Sequence, residues 1–445
     1  MKNWNSKVLG TLLVFLAAVA PVSSLRVRKK FKSLTNEQAL EMLGVVEADL
    51  KGHYYDATMK SFDFDRRFDA ARHEISRAKS QDEALLDIAG ATSALQDLHT
   101  KFFPPVRPYG VDYGFVMEAI GDSSCYVIAV RSGSDAAAKG LKPGDQIVAE
   151  NGIALTRQDI NYVAYAYEVF PQSGLHLKVR SPEGNVRDMV VMAKVIPGQE
   201  IISHSDFMTW ILDNHVEKDR SRYYRVEKSA LVWQLPDFLL DPGDVDGLTS
   251  RAKSYQSLIL DLRGNPGGSR PALIKFIGEF FNNDVTVGTL KMRKGDRAEI
   301  AKSRGKHAFS GKLIVLIDSR TSSAAEILAR VVQLEKRGIV LGDRSAGAVG
   351  YAEDYIHAVK LDATNVAQYR TRVTVAGLVM SDGKNLEGNG VMPDERILPS
   401  AVDLASGRDP VLARALELTG SRVTPDEAGR ILPYVWPKQK MPEID

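Results

Sequence analysis

Residues 257–268 read Ser-Leu-Ile-Leu-Asp-Leu-Arg-Gly-Asn-Pro-Gly-Gly. The run Ser257 to Leu262 is apolar without the period-two alternation of a half-exposed strand, the pattern of a strand buried on both faces. The run Arg263 to Gly268 then strips the backbone of side-chain cover, because Gly264, Gly267 and Gly268 lack a Cβ and Asn265-Pro266 favours a turn. A buried strand that opens into such a loop predicts a parallel sheet, in which ligands collect outside the carboxyl ends of the strands. The bare amides could approach a substrate closely and serve as oxyanion donors; equally, the glycines could do no more than permit a tight turn. Neither the Rossmann spacing nor a Walker lysine is present, so the loop does not read as a nucleotide cradle.

Outward from this stretch the same regime continues. Leu231–Leu235, Leu313–Ile317 and Gly338–Leu341 are further short apolar runs, and helical patterns at Pro271–Phe281 and Ala324–Lys336 connect them. Strand, helix, strand units of this kind take right-handed crossovers and build an α/β core. Upstream, Leu34 to about Phe103 is apolar at helical spacing and closes at Pro104-Pro105. Val111 to Val195 changes to short β-rich runs, Cys125–Val130, Gln146–Ala149 and Leu175–Val179, punctuated by Gly and Pro. The expected architecture is therefore multidomain α/β: an N-terminal helical module (25–107), a compact β-rich module (108–195) and an α/β core (196–445).

The chain of 445 residues has 44% hydrophobic and 26% charged residues, the make-up of an ordinary globular protein and not of a disordered, collagen-like or multi-span membrane one. Lys plus Arg number 58 against 56 for Asp plus Glu, so no field of either sign exists to hold a polyanion, and nucleic acid is not an expected partner. The single cysteine, Cys125, can form no intrachain disulfide. Lys2 and Lys7 precede the apolar run Val8–Ala20, and Val22-Ser23-Ser24 offers small residues for cleavage, so residues 1–24 read as a secretory signal peptide. The run is shorter than the roughly 20 residues that span a bilayer, which makes a retained N-terminal anchor the secondary reading. Either way the body is expected outside the cytoplasm, and export without disulfides points to a bacterial periplasm or the extracellular space.

A second loop follows Ile317 and reads Asp318-Ser319-Arg320-Thr321-Ser322-Ser323-Ala324-Ala325-Glu326, opening into an apolar helix. Ser323 and Glu326 have the spacing of a capping box, which explains them without catalysis. The same helix N-terminus suits a nucleophile, since its dipole and free amides favour negative charge and the Ala324 amide would face the developing oxyanion. A serine needs a base. His99, in Asp97-Leu98-His99-Thr100 at the end of the helical module, is the candidate, although a histidine is also favoured at a helix C-terminus for structural reasons. No His-Glu-x-x-His or comparable spacing occurs, so neither a metal nor any cofactor is expected.

Three ordered motifs, Leu260–Gly268, Thr321–Glu326 and Glu387-Gly388-Asn389-Gly390-Val391-Met392-Pro393-Asp394, resemble those of the C-terminal processing (tail-specific) serine peptidases. Gly133 to Ile147 is similar to the PDZ domain that these enzymes carry. The resemblance implies a nucleophile at Ser323 and oxyanion donors at the amides of Ala324 and of Gly267 or Gly268. The processing peptidases place a lysine base in the turn that matches Ser345–Val349, and this chain has Ala348 there. The branch related to the tricorn core peptidase and to interphotoreceptor retinoid-binding protein looks closer, which implies His99 as base and Glu387 as the remaining member of the charge network. Leu98 stands where that branch has an auxiliary serine. The PDZ-like module would hold the C-terminal segment of a peptide or protein substrate by strand addition, with the carboxylate on amides near Tyr113-Gly114-Phe115. A binding scaffold that kept this fold and lost catalysis is the alternative.

Overall fold

The computed structural model describes residues 33–59, 63–107, 109–197, 221–226, 229–362 and 365–436. The expected signal segment 1–24 lies outside them. Three helices come first, α1 (Asn36–His53), α2 (Phe64–Arg77) and α3 (Gln81–Ser93). Each starts where a short polar side chain satisfies an orphan helix amide: Thr35 with Gln38 in a reciprocal box, Asp63 on Arg66, and Ser80 on Glu83. Chain then runs through Asp97–Thr100 into β1 (Lys101–Phe103).

A β-rich region follows. β2 (Tyr109–Asp112) pairs with β9 (Lys194–Pro197), and a second sheet carries β3 (Phe115–Ile120), β4 (Ser124–Val130), β5 (Gln146–Glu150), β7 (Gly174–Arg180) and β8 (Val186–Met192) in that order, with β6 (Ile153–Ala154) beside β5. Among the described residues β3 is an edge strand, paired with β4 alone. The sheet packs with the short α4 (Asp135–Ala138) and α5 (Ile160–Val169). Its core is continuous with that of the three N-terminal helices: Met42, Phe68 and Ile88 share one apolar cluster with Val127, Ile147 and Val163. Tyr165 of α5 ties the two across β1, its hydroxyl accepting from Phe102 N (3.0 Å) and donating to Phe102 O (2.6 Å).

The remaining chain holds a six-stranded sheet in the order β10 (Arg222–Val226), β11 (Ala230–Gln234), β12 (Ser257–Asp261), β15 (Lys312–Ile317), β16 (Gly338–Gly342) and β19 (Glu395–Arg396). All pairings from β11 to β19 are parallel, as the apolar runs predict. Why those runs lack alternation is visible in the packing. Trp233, Leu258, Leu260 and Val315 face one apolar layer with α7 (Arg270–Gly278) and α8 (Ala324–Leu334), whereas Val232, Ile259, Ile314 and Leu316 face another built on Leu412 and Leu416. Both faces are dry, so both registers of each strand are apolar.

One large element was not expected. β17 (Gly350–Lys360) and β18 (Val366–Met380) form a long antiparallel pair, and β18 also pairs with β1 and with β13 (Val285–Lys291), which continues to β14 (Arg297–Ala301). This sheet carries β1, and therefore the residues just before it, onto the α/β core. Among the described residues no helix is long and apolar enough to cross a membrane.

Candidate active site

The loops after β12 and β15 lie side by side because their strands are neighbours, and hydrogen bonds stitch them together. Thr321 Oγ1 donates to Leu262 O (2.9 Å), Ser322 N to Asn265 O (2.9 Å) and Ser322 Oγ to Pro266 O (2.9 Å). Gly264 N donates to Asp318 Oδ1 (2.9 Å), so the two loops hold each other at both ends.

Ser323 sits at the junction with α8 at φ 55°, ψ −120°, a backbone conformation that L-residues rarely adopt. Such strain persists only when its surroundings over-determine it. Here Glu326 does so. Its carboxylate, fully buried, accepts from Ser323 N (3.0 Å), Ala348 N (2.9 Å), Gly347 N (2.8 Å) and Ser345 Oγ (2.5 Å). Burial pushes the Glu326 carboxyl upward, and these four donors oppose that shift. Ser323 N also donates to Ala348 O (2.8 Å). Ser323 and Glu326 close a reciprocal capping box, in which the glutamate carboxylate holds Ser323 N and Glu326 N also goes to the Ser323 carbonyl (2.9 Å).

The Ala324 amide is at the first helical position, where no intrahelical acceptor exists. The glycine loop reaches it closely: a Cβ on Gly267 would lie 2.6 Å from Ser323 Cβ and 2.9 Å from Ala324 N. Gly267 itself is corrected as a donor, because its N–H is already given to Asn265 Oδ1 (2.8 Å). Gly268 differs. It forms a parallel bridge with Phe238 in which Gly267 O and Ser269 N make the bonds, so the Gly268 amide points to the other side. A Cβ on Gly268, at φ 147°, would come within 2.4 Å of the Phe238 backbone, which accounts for glycine there.

His99 reaches the core through the loop ahead of β1. Asp97 Oδ1 accepts from His99 N (2.9 Å) and Thr100 N (3.2 Å), while Thr100 Oγ1 meets Thr374 Oγ1 of β18 (3.1 Å). Glu387 bridges this loop to the segment beside Ser323: Leu98 N donates to Glu387 Oε1 (3.3 Å) and Val349 N to Glu387 Oε2 (2.6 Å). A ring nitrogen of His99 and one carboxylate oxygen each of Asp97 and Glu387 all lie within 4.8 Å of one another. Burial pulls the His99 imidazole down to about 4, with Asp97 opposing and the cations Arg372 and Lys101 adding to the fall. The ring is thus neutral at pH 7, and its Nδ1 is buried with no hydrogen-bond partner.

Of the residues singled out in the sequence, the structure brings Ser323, Ala324 and the Gly267-Gly268 turn together and joins His99 to Glu387, with Ala348-Val349 between the two groups. Tyr113-Gly114-Phe115 is elsewhere, at the start of β3. The Gly114 amide is committed to Asp112 Oδ1 (2.8 Å), and the Tyr113 hydroxyl to Gln172 N (3.0 Å) and Gln172 O (2.9 Å). Gly114 is therefore corrected as a carboxylate donor. Sequence reasoning missed Asp97, although it stands two residues before His99, and missed that Glu326 serves the loop at 345–348 as well as its own helix. It also missed how β3 docks. Glu118 of β3 pairs with Arg320 of the Ser323 loop (2.9 Å), and Arg157 gives its guanidinium to Asp343, to Arg344 O (2.6 Å) and to Gly121 O (2.7 Å).

Residues 232–397, which include the strained Ser323 and the glycine turn beside it, match the profile of peptidase family S41. The chain carries an S41 peptidase domain and is homologous to the carboxy-terminal processing proteases. CtpA of Bacillus subtilis (strain 168) is 24% identical over 328 residues, covering 71% of this chain and 64% of that protein. The carboxyl-terminal-processing protease of Synechocystis sp. is 26% identical over 295 residues, 66% of this chain and 64% of the relative. The chain thus spans less than two thirds of the length of these relatives. In fold it is similar to mature CPAF, with a TM-score of 0.62 and 15% identity over 83% of this chain and 94% of that one.

Proposed function

We propose that the protein is an exported serine peptidase that hydrolyses peptide bonds through an acyl-enzyme on Ser323. The observation that carries this reading is the Ser323 backbone at the N-terminus of α8, strained to φ 55° and clamped by Glu326 beside the glycine turn. Ser323 Oγ attacks the peptide carbonyl carbon and its proton passes to His99, which the low imidazole basicity leaves neutral and ready at pH 7. The amides of Ala324 and Gly268 receive the oxyanion. Collapse expels the amine, which takes the proton from His99; water then attacks the ester, again through His99, and releases the acid. Asp97 holds the His99 main chain, and its charge stabilises the charged form of the imidazole, with Glu387 the remaining member of the network.

The region 108–195 acts as a PDZ-like module that takes the C-terminal segment of a peptide or protein by strand addition on β3. Among the described residues that edge is unpaired on one side, and it leads toward the Ser323 loop through Glu118 and Arg320. The segment 1–24 directs export. A scaffold without catalysis draws on two observations, Ala348 in the lysine position and an Nδ1 that no carboxylate holds.

Intact-mass and peptide mapping after a fluorophosphonate probe separates the two readings. An adduct on Ser323 that His99→Ala suppresses is the expected result. Absence of any adduct, or peptide turnover that survives Ser323→Ala, overturns the peptidase.

A further inference from the structure

Two acids and a histidine meet at the loop ahead of β1, with Asp97 buried and His99 and Glu387 half-buried. Asp97, His99 and Glu387 come from two distant stretches of chain, yet one donor atom of each lies within 4.8 Å of the other two. Asp97 is buried, and its charge and that of Glu387 are both felt at the buried Tyr54 hydroxyl, which burial and the two acids push upward. The cations that approach, Arg372 and Lys101, act on His99 from the β18 and β1 side, and Arg372 is already paired with Asp354. The trio borders a buried histidine nitrogen, Nδ1, that has no partner. Two carboxylates beside an imidazole whose Nδ1 is orphaned offer the donor atoms that a divalent transition-metal ion takes.

We propose that Asp97, His99 and Glu387 form an inhibitory site for a zinc-class divalent ion. One imidazole nitrogen and two carboxylate oxygens are the mixed donor set that Zn2+ accepts, with the fourth position left to solvent. Bonds of about 2.0–2.2 Å place tetrahedral donors roughly 3.4 Å apart, so the trio must draw in from its separation of up to 4.8 Å. Asp97 is pinned by the amides of His99 and Thr100 and Glu387 by those of Leu98 and Val349, which leaves the His99 ring to move toward them. Mg2+ is a poor occupant, because it demands octahedral oxygen ligands and retains its waters. Binding ties up the histidine that takes the serine proton in the proposed mechanism, so the ion would switch hydrolysis off. The inhibitory consequence rests on the peptidase reading; the binding itself does not.

The test titrates the full chain with ZnCl2 in competition with a chromophoric chelator. Wild type and Ser323→Ala are expected to bind one ion with equal affinity, whereas His99→Ala loses that site and Asp97→Asn and Glu387→Gln weaken it at least tenfold. MgCl2 in tenfold excess leaves the titration unchanged. Unaltered stoichiometry and affinity in both His99→Ala and Glu387→Gln would mean adventitious surface binding and would overturn the proposal, as would no binding in wild type. Circular dichroism identifies a variant that fails to fold, and the other two substitutions then decide. Peptide hydrolysis by wild type should fall more than tenfold at saturating ZnCl2 and return with chelator; binding in Ser323→Ala stands even if no form hydrolyses peptide, which separates the two readings.

Discussion

At the scale of single residues, Glu326 concentrates the most consequence. One carboxylate holds the amides of Ser323, Gly347 and Ala348 and the hydroxyl of Ser345, so it sets both the strain at Ser323 and the loop facing it. Glu326→Ala leaves several donors unpaired and should cost on the order of 3 kcal/mol or more in a denaturant melt, with probe labelling of Ser323 lost. An unaffected melt would show that the hub is dispensable. Gly268 is the second such position. Gly268→Ala drives a Cβ into the Phe238 backbone and displaces the amide proposed to meet the oxyanion, so labelling should fall about 100-fold while Gly264→Ala, whose Cβ meets only the Arg320 side chain, falls less. A rank order opposite to this in a labelling time course counts against the donor assignment.

Among elements, the contact between β3 and the loops after β15 and β16 decides how the β-rich region bears on the site. Arg157 is buried and spends its guanidinium on Asp343, two main-chain carbonyls of Arg344 and Ser345, and Gly121 O. The same loop continues to Gly347 and Ala348, which rest on Glu326. Arg157→Ala removes the charge partner of a buried aspartate that Arg396 only partly serves, at about 2–4 kcal/mol. Limited proteolysis should then open the 121–157 region ahead of the core, and Ser323 labelling should slow. Equal cleavage rates in wild type and variant would show that the docking is carried elsewhere.

For the whole molecule the buried ionisable groups set opposite pH limits. His99 has its folded value depressed to about 4 against 6.5 for the free side chain, so its contribution to stability is present above 6.5 and is lost as pH falls from there toward 4. Glu150 lies in the β-rich region, fully buried, with one oxygen unpartnered, and burial raises it to about 8. Its contribution is present below 4.5 and is lost as pH rises through 8. Thermal melts from pH 4 to 9 should show Glu150→Gln flattening the alkaline decline and His99→Gln flattening the acid one. Identical slopes in variant and wild type would remove these groups as the cause.

What the amino-acid sequence determined by itself was local. Apolar runs without alternation at Leu231–Leu235, Ser257–Leu262, Leu313–Ile317 and Gly338–Leu341 state that both faces of a strand are dry, and the parallel pairings of β11, β12, β15 and β16 follow from that. The two loops that build the Ser323 corner could be read the same way, because each directly follows one of those strands. β17 and β18 were not legible, since their mixture of charged and apolar residues reflects partners on β1 and β13 far away in sequence. Only the tertiary structure decided that β1 joins that sheet and so carries Asp97 and His99 to Glu387. It also decided that the Gly267 amide goes to Asn265 and the Gly114 amide to Asp112. The physical reason is the same throughout: a hydrogen bond has many candidate partners along a chain, and only the folded geometry selects one.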